Sequence, residues 1–250
     1  MLSEPILKNS SCVHIFASEP QVEPSHMFRI ILDLCPDPVN FFWLGKQPFQ
    51  FIWDVQKLIH TARIEGQIND VVLLLEHHPV YTFGKNANKD HLLPSYRKDA
   101  DVISIDRGGD ITFHGPGQMV VYPILNLRGY RTSVSWYMRS LEEVVIRTLR
   151  TFGVFSQTRE GMTGVWIDDE KICAMGVRLS RWVSMHGLAL NLNTDLDYFT
   201  GIIPCGIFEC GVTSLEKQTD QKISMSILVE TFIQEFRTVF QPTPMKPEVM

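Results

Sequence analysis

Gly164-Val165-Trp166-Ile167-Asp168-Asp169-Glu170-Lys171-Ile172-Cys173-Ala174-Met175-Gly176-Val177-Arg178-Leu179 decides how the chain is read. Two apolar runs, 164–167 and 172–179, are interrupted by three acidic residues, and acidic turn formers inside an apolar alternation predict a hairpin. A further strand-like run follows at 183–192, and others lie upstream at 71–75, 80–83, 102–105 and 119–125. Apolar residues at helical spacing predict amphipathic helices over 51–65, ended by Gly66, about 134–152, ended by Gly153, and about 226–240, before Pro242. In the second helix Val134, Tyr137, Met138, Leu141, Val145 and Leu149 are expected to face inward, and Arg139, Glu143 and Arg147 outward. Helices scattered among mostly hairpin-like strands favour an α+β fold, a mixed β-sheet flanked by helices, over a doubly wound parallel sheet.

Composition narrows the function classes. With 250 residues the chain is long enough for one sizeable core, and no linker divides it. A net charge of -5 argues against general nucleic-acid binding, which needs clustered Lys and Arg. No apolar run reaches the roughly 18 residues needed to span a bilayer, so no membrane role is expected. Five cysteines (Cys12, Cys35, Cys173, Cys205, Cys210) form neither a dense even framework nor a CxxC pair, pointing to a reducing, cytoplasmic compartment. Residues 1–26 contain one Lys, no Arg and three Glu, unlike a transit or signal peptide. They are expected to form an extension, with Met27 as an alternative start, and 27–250 a single domain.

Chemistry is suggested first by Arg107-Gly108-Gly109-Asp110-Ile111-Thr112-Phe113-His114-Gly115-Pro116-Gly117-Gln118. Four glycines let a ligand approach the backbone, while Arg107 and His114 supply strongly polar side chains. Cys205, between Pro204 and Gly206, is expected on a turn where a thiol can react; a neighbouring ammonium group would favour its thiolate. Cys173, inside an apolar strand, reads as core. Lys171, after the acidic turn, is ordinarily a solvated charge. However, Ala174-Met175-Gly176 and His186-Gly187-Leu188-Ala189 place small residues on neighbouring strands, as a pocket wall requires. His77 and His78 point to opposite faces of a strand and lack metal-ligand spacing, so no metal is expected. His114 and His186 read as hydrogen-bonding pocket residues.

These segments together resemble the lipoyl(octanoyl) transferases, the octanoyl-(acyl-carrier-protein):protein octanoyltransferases of lipoate biosynthesis. The resemblance covers about residues 50–216. It is carried by Leu75-Glu76-His77-His78-Pro79-Val80-Tyr81-Thr82-Phe83-Gly84, the 107–118 loop, 171–178, His186-Gly187-Leu188-Ala189-Leu190-Asn191, and Pro204-Cys205-Gly206. Phe41-Phe42-Trp43-Leu44-Gly45 and Lys85-Asn86-Ala87-Asn88-Lys89 depart from the family's pattern. The resemblance implies the biotin/lipoate protein ligase-like, class II synthetase-like fold. It also implies Cys205 as acyl-accepting nucleophile, Lys171 as its partner, and a substrate pocket made by Arg107 through His114, Ala174 to Gly176 and Gly187 to Ala189. No cofactor is implied.

The implied partners are octanoyl-acyl carrier protein as donor and, as acceptors, lipoyl domains of 2-oxoacid dehydrogenase E2 subunits and the glycine cleavage H protein. Arg128, Arg131, Arg139, Arg147 and Arg150, set against Glu142 and Glu143, suggest a basic docking surface for the acidic carrier. Competing readings are an ATP-dependent lipoate or biotin protein ligase, a cysteine-dependent thioesterase, and a non-catalytic lipoyl-domain binding module. Pro204-Cys205-Gly206 speaks against the ligase, and the Lys171/Cys205 pair against the binding module.

Overall fold

The computed structural model describes residues 13–15, 23–203, 211–219 and 221–241. The chain runs β1 (Val13–Ile15), α1 (Pro24–Asp33), β2 (Val39–Gln47), α2 (Phe49–Ile64), β3 (Asp70–His77), β4 (Val80–Phe83), β5 (Asp101–Ser104), β6 (Ile111–His114) and β7 (Gln118–Ile124). It continues with α3 (Val134–Thr151), β8 (Gln157–Arg159), β9 (Met162–Ile167), β10 (Glu170–Ser180), β11 (Val183–Asn191), β12 (Gly211–Val212), α4 (Leu215–Gln218) and α5 (Met225–Val239). Among the described residues the main sheet has nine strands, ordered β1-β2-β3-β7-β11-β10-β9-β8, with β12 also paired to β10. The β1/β2, β2/β3 and β10/β12 pairs are parallel and the others antiparallel. A separate three-stranded sheet, β5-β4-β6, stands over it. This is the mixed sheet flanked by helices that the sequence predicts.

Both faces of the sheet are covered, which explains why β3 is a continuous apolar run rather than an alternation. Val71, Leu73 and Leu75 pack with Ile52, Val55 and Ile59 of α2, whereas Val72 and Leu74 pack with Leu141 and Val145 of α3 and Phe232 and Phe236 of α5. Local signals set the helix ends. The Ser133 hydroxyl accepts the Trp136 N–H at 3.2 Å at the start of α3, and Gly66 and Gly153 follow α2 and α3 at φ +73° and +78°.

Several expectations change. Residues 41–45, set aside as a departure, lie within β2, which pairs with β1 and β3. The expected boundary at 26/27 falls inside α1, where Met27 is buried against the α2 side of the core. The second half of the 107–114 loop is strand β6, paired with β4 from Phe83↔Ile111 to Val80↔His114. Val134, expected inward, is 49% exposed, because the first residue of α3 lies beyond the sheet-facing stripe. Among the described residues no helix is long and apolar enough to cross a membrane.

Candidate active site

The floor of the site is the β10–β11 hairpin. Its register sets Ala174 opposite Ala189 and Gly176 opposite Gly187, so a lane of minimal side chains runs along the sheet. Phe49, Ile105, Tyr122 and Trp166 help line the same cavity. The two glycines are required by close backbone approach. A Cβ on Gly176 would stand 2.8 Å from Gly108 O, because the Arg107–Gly109 turn crosses there and the Gly108 N–H donates to Val177 O at 3.1 Å. A Cβ on Gly187 would stand 2.1 Å from Val121 O on β7. Beside it His186 sits at φ +60°, a conformation L residues rarely adopt.

One wall is a directional chain of hydrogen bonds. Arg107 Nη2 donates to Thr82 O at 2.7 Å and to Thr82 Oγ1 at 3.0 Å. The Thr82 hydroxyl faces His114 Nε2 at 3.4 Å, and His114 Nδ1 meets Gln118 Oε1 at 2.9 Å. Gln118 Nε2 donates to Asn191 Oδ1 at 2.9 Å and to Phe113 O at 3.2 Å; Asn191 Nδ2 donates to Thr213 O at 2.9 Å. Because the Gln118 amide nitrogen is spent on two acceptors, its oxygen accepts, so His114 carries its proton on Nδ1 and accepts from Thr82 at Nε2. Burial first, and then the neighbouring His77 and Arg107, push the His114 pKa down to about 3, consistent with a neutral ring.

The other histidines are similarly engaged. His77 Nδ1 donates to Gln47 O at 2.9 Å, which leaves Nε2 to accept the Tyr122 hydroxyl at 2.8 Å; burial lowers its pKa to about 4. His186 Nε2 donates to Asp106 Oδ1 at 2.8 Å, and Arg178 binds the other Asp106 oxygen. The His186 bond chiefly holds the Asp106 carboxyl at about 2. Burial outweighs Asp106 at His186 itself and lowers its pKa, so the pair is best described as a neutral imidazole donating to a carboxylate. His114 and His186 are hydrogen-bonding pocket residues, as the sequence suggests.

Lys171 stands at one end of the lane. It is 9% exposed, not solvated, and its Nζ lies 4.6 Å from the centre of the Trp166 ring. Its backbone pairs with Trp166 on β9 and Val212 on β12, and its carbonyl accepts the Thr213 N–H at 3.1 Å. Cys173 is buried in β10 and burial pushes its thiol pKa up. Cys205 and Cys210 lie outside the described residues. The chain on either side of 204–210 is placed: Ile203 N–H donates to His91 O at 2.9 Å, and Gly211 N–H to Asp169 O at 3.2 Å. His91 in turn binds Asp110 of the glycine-rich segment, Nδ1 to Oδ2, at 2.5 Å.

Thus Arg107, Gly109, Asp110, Ile111, Thr112, His114, Lys171, Ala174, Met175, Gly176, Gly187, Leu188 and Ala189 line one cavity. Gly108 and Phe113 do not: Gly108 bonds to β10 through its main chain, and Phe113 stacks on Tyr198 with centroids 4.2 Å apart in a separate apolar cluster. Phe49, Ile105, Tyr122 and Trp166 also line the cavity and were not read as site residues from the sequence; Gln118 and Asn191 were quoted only as members of longer motifs. Gln118 and Tyr122 share a face of β7 by strand alternation and could have been found that way. Phe49, on the first turn of a helix, carries no such signal. Of the basic segment, Arg139 and Arg147 are engaged by Glu142 and Glu143, and Arg128 donates to Arg181 O at the hairpin tip, the end of β10 away from Lys171.

Comparison with known proteins identifies the family. Residues 48–237 match the lipoyl protein ligase A/B catalytic domain. The octanoyltransferase of Christiangramia forsetii is 44% identical over 219 residues, 79% of this chain and 94% of its own. That of Gloeobacter violaceus is 46% identical over 164 residues, 65% of this chain and 73% of its own. The fold is shared with a bi-partite lipoate protein ligase from Thermoplasma acidophilum (TM-score 0.60, 14% identity, 79% of this chain and 82% of that one). It is shared too with lipoate-protein ligase A bound with ATP (TM-score 0.59, 11% identity, 80% and 84%). With this family match over most of its length and relatives identical at more than two-fifths of the aligned positions, the chain belongs to the lipoyl protein ligase A/B catalytic domain family and, within it, to the octanoyltransferases.

Proposed function

We propose that this acyltransferase takes an octanoyl group from acyl carrier protein, holds it as a thioester on Cys205, and delivers it to the ε-amine of a lysine on a lipoyl domain. The Cys205 thiolate attacks the donor thioester carbonyl, and the carrier leaves as its thiol. The acceptor amine then attacks the enzyme thioester, an amide forms, and Cys205 leaves as thiolate. The Lys171 ammonium steadies the thiolate, gives its proton to the departing carrier sulfur, and as the neutral amine takes the proton from the incoming acceptor lysine. The substrates follow from the relatives' name and from the resemblance stated above.

The observation that carries this reading is the pairing of Lys171 with Val212, which sets the chain just downstream of Cys205 against the lysine at the end of the lane. The lane has a suitable length. From Asn191 to Gly187, β11 advances about 13 Å at roughly 3.3 Å per residue. An extended eight-carbon chain with bonds of about 1.5 Å spans roughly 9 Å. Burying each CH₂ contributes about 0.8 kcal/mol, so an apolar slot can hold the acyl group without a charged anchor.

The test is intact-mass analysis of the purified protein with octanoyl-acyl carrier protein, repeated with Cys205→Ala and with an apo lipoyl domain as acceptor. One octanoyl adduct, absent in the variant and passed to the acceptor lysine, is expected. A requirement for ATP and free octanoate would make the chain a ligase, and an adduct lost to water with acceptor present would make it a thioesterase.

A further inference from the structure

Glu142 is grouped by sequence with Glu143 as a surface charge, yet only Glu143 is exposed. Glu142 is 1% exposed, on the face of α3 that also presents Tyr137, Leu141 and Val145 to the sheet. A carboxylate withdrawn from water is destabilising unless donors meet it. Here Arg139 donates to Oε2 at 2.6 Å, and the Gly164 N–H donates to Oε1 at 3.0 Å.

Gly164 is an unusual donor. Its φ of +122° excludes side chains, and a Cβ there would stand 2.6 Å from Cys173 O and 3.5 Å from Lys171 Cε. The β9–β10 register slips between Lys171 and Cys173, opposite Trp166 and Val165 and next to Gly164. The Lys171 methylenes lie alongside Gly164, 3.5 and 3.6 Å from where a Cβ would stand, and Nζ reaches over the Trp166 ring. We infer that Glu142 is a positioning residue for Lys171, its carboxylate fixing the Gly164 main chain so that the lysine has a lane to the end of the pocket. This rests on the role proposed for Lys171 above.

Reach and charge can be separated by substitution. Glu142→Gln keeps an oxygen at the right distance without the charge; Glu142→Asp keeps the charge but is one methylene short; Glu142→Leu loses both. Octanoyl transfer to a lipoyl domain is measured for each, with circular dichroism to establish folding and Lys171→Ala as control. Glu142→Gln is expected to retain at least about a third of the wild-type kcat, while Glu142→Asp and Glu142→Leu lose about tenfold or more with the donor KM within about twofold. If Glu142→Leu does not fold, Glu142→Asp carries the test. A folded Glu142→Asp or Glu142→Leu with wild-type kcat, or a Glu142→Gln as impaired as Glu142→Asp, overturns the inference. A Lys171→Ala variant with wild-type kcat instead defeats the role given to Lys171.

Discussion

Arg107 passes directly over Gly176: a methyl group on that glycine would stand 3.1 Å from Arg107 Cδ and 2.8 Å from the carbonyl of the next residue in the turn. The glycine-rich turn is therefore seated against β10 at Gly176, and the lane of small residues ends beneath it. Gly176→Ala should lift the turn off the sheet. The expected result is a rise of about tenfold or more in the donor KM with a smaller fall in kcat, read from steady-state kinetics.

Ala189 faces Ala174 across the lane, and both line the cavity. Ala189→Val would narrow the slot. Relative kcat/KM should move from octanoyl toward shorter acyl donors by about tenfold, within the range that one or two methylenes give in an apolar pocket. Unchanged chain-length preference would mean that the acyl group lies elsewhere.

Arg107 binds Thr82 through both its main-chain and hydroxyl oxygens and also donates to Gly108 O at 3.0 Å. Lysine has one compact ammonium and cannot reproduce this fork. Arg107→Lys should lower stability by about 1–3 kcal/mol in urea denaturation and weaken acyl-donor binding.

Gln118 joins His114 to Asn191 inside the protein. Gln118→Leu strands a ring N–H and an amide oxygen, so a loss of about 2–4 kcal/mol is expected by chemical denaturation. A stability change under 1 kcal/mol would show that the chain of bonds has an alternative arrangement.

His77 and His114 are held at about 4 and about 3, below the ordinary histidine value near 6.5. With folded-state values depressed, the unfolded chain binds more protons once the pH drops below about 6.5, and the native state loses stability from there toward 4. Tm should fall over that window. A His114→Asn variant should show a shallower fall, and an unchanged slope would assign the acid sensitivity to other groups.

Apolar periodicity and turn chemistry are local, so the alternation of helices and hairpins was legible along the chain. The three main helices and most strand cores lie where those signals put them, and the acidic turn does too, shortened to Asp168-Asp169 because Glu170 already pairs with Ile167. Opposed small residues on β10 and β11 were legible too, since 174–176 and 187–189 repeat one motif. Strand β2 and helix α1 were not, because an apolar run such as Phe41-Phe42-Trp43-Leu44 has no period of its own and becomes a strand only through pairing with its neighbours.

Which polar residues became neighbours depended on how distant segments pack together. Lys171 leaves the surface because Trp166, Gly164 and β12 close around it, and Glu142 leaves it because a main-chain N–H waits across the α3–β9 interface. Arg107 reaches Thr82 across 25 positions, and Gln118 reaches Asn191 across 73. Burial and hydrogen-bond partnership depend on contacts between segments far apart in the chain, which local spacing does not encode.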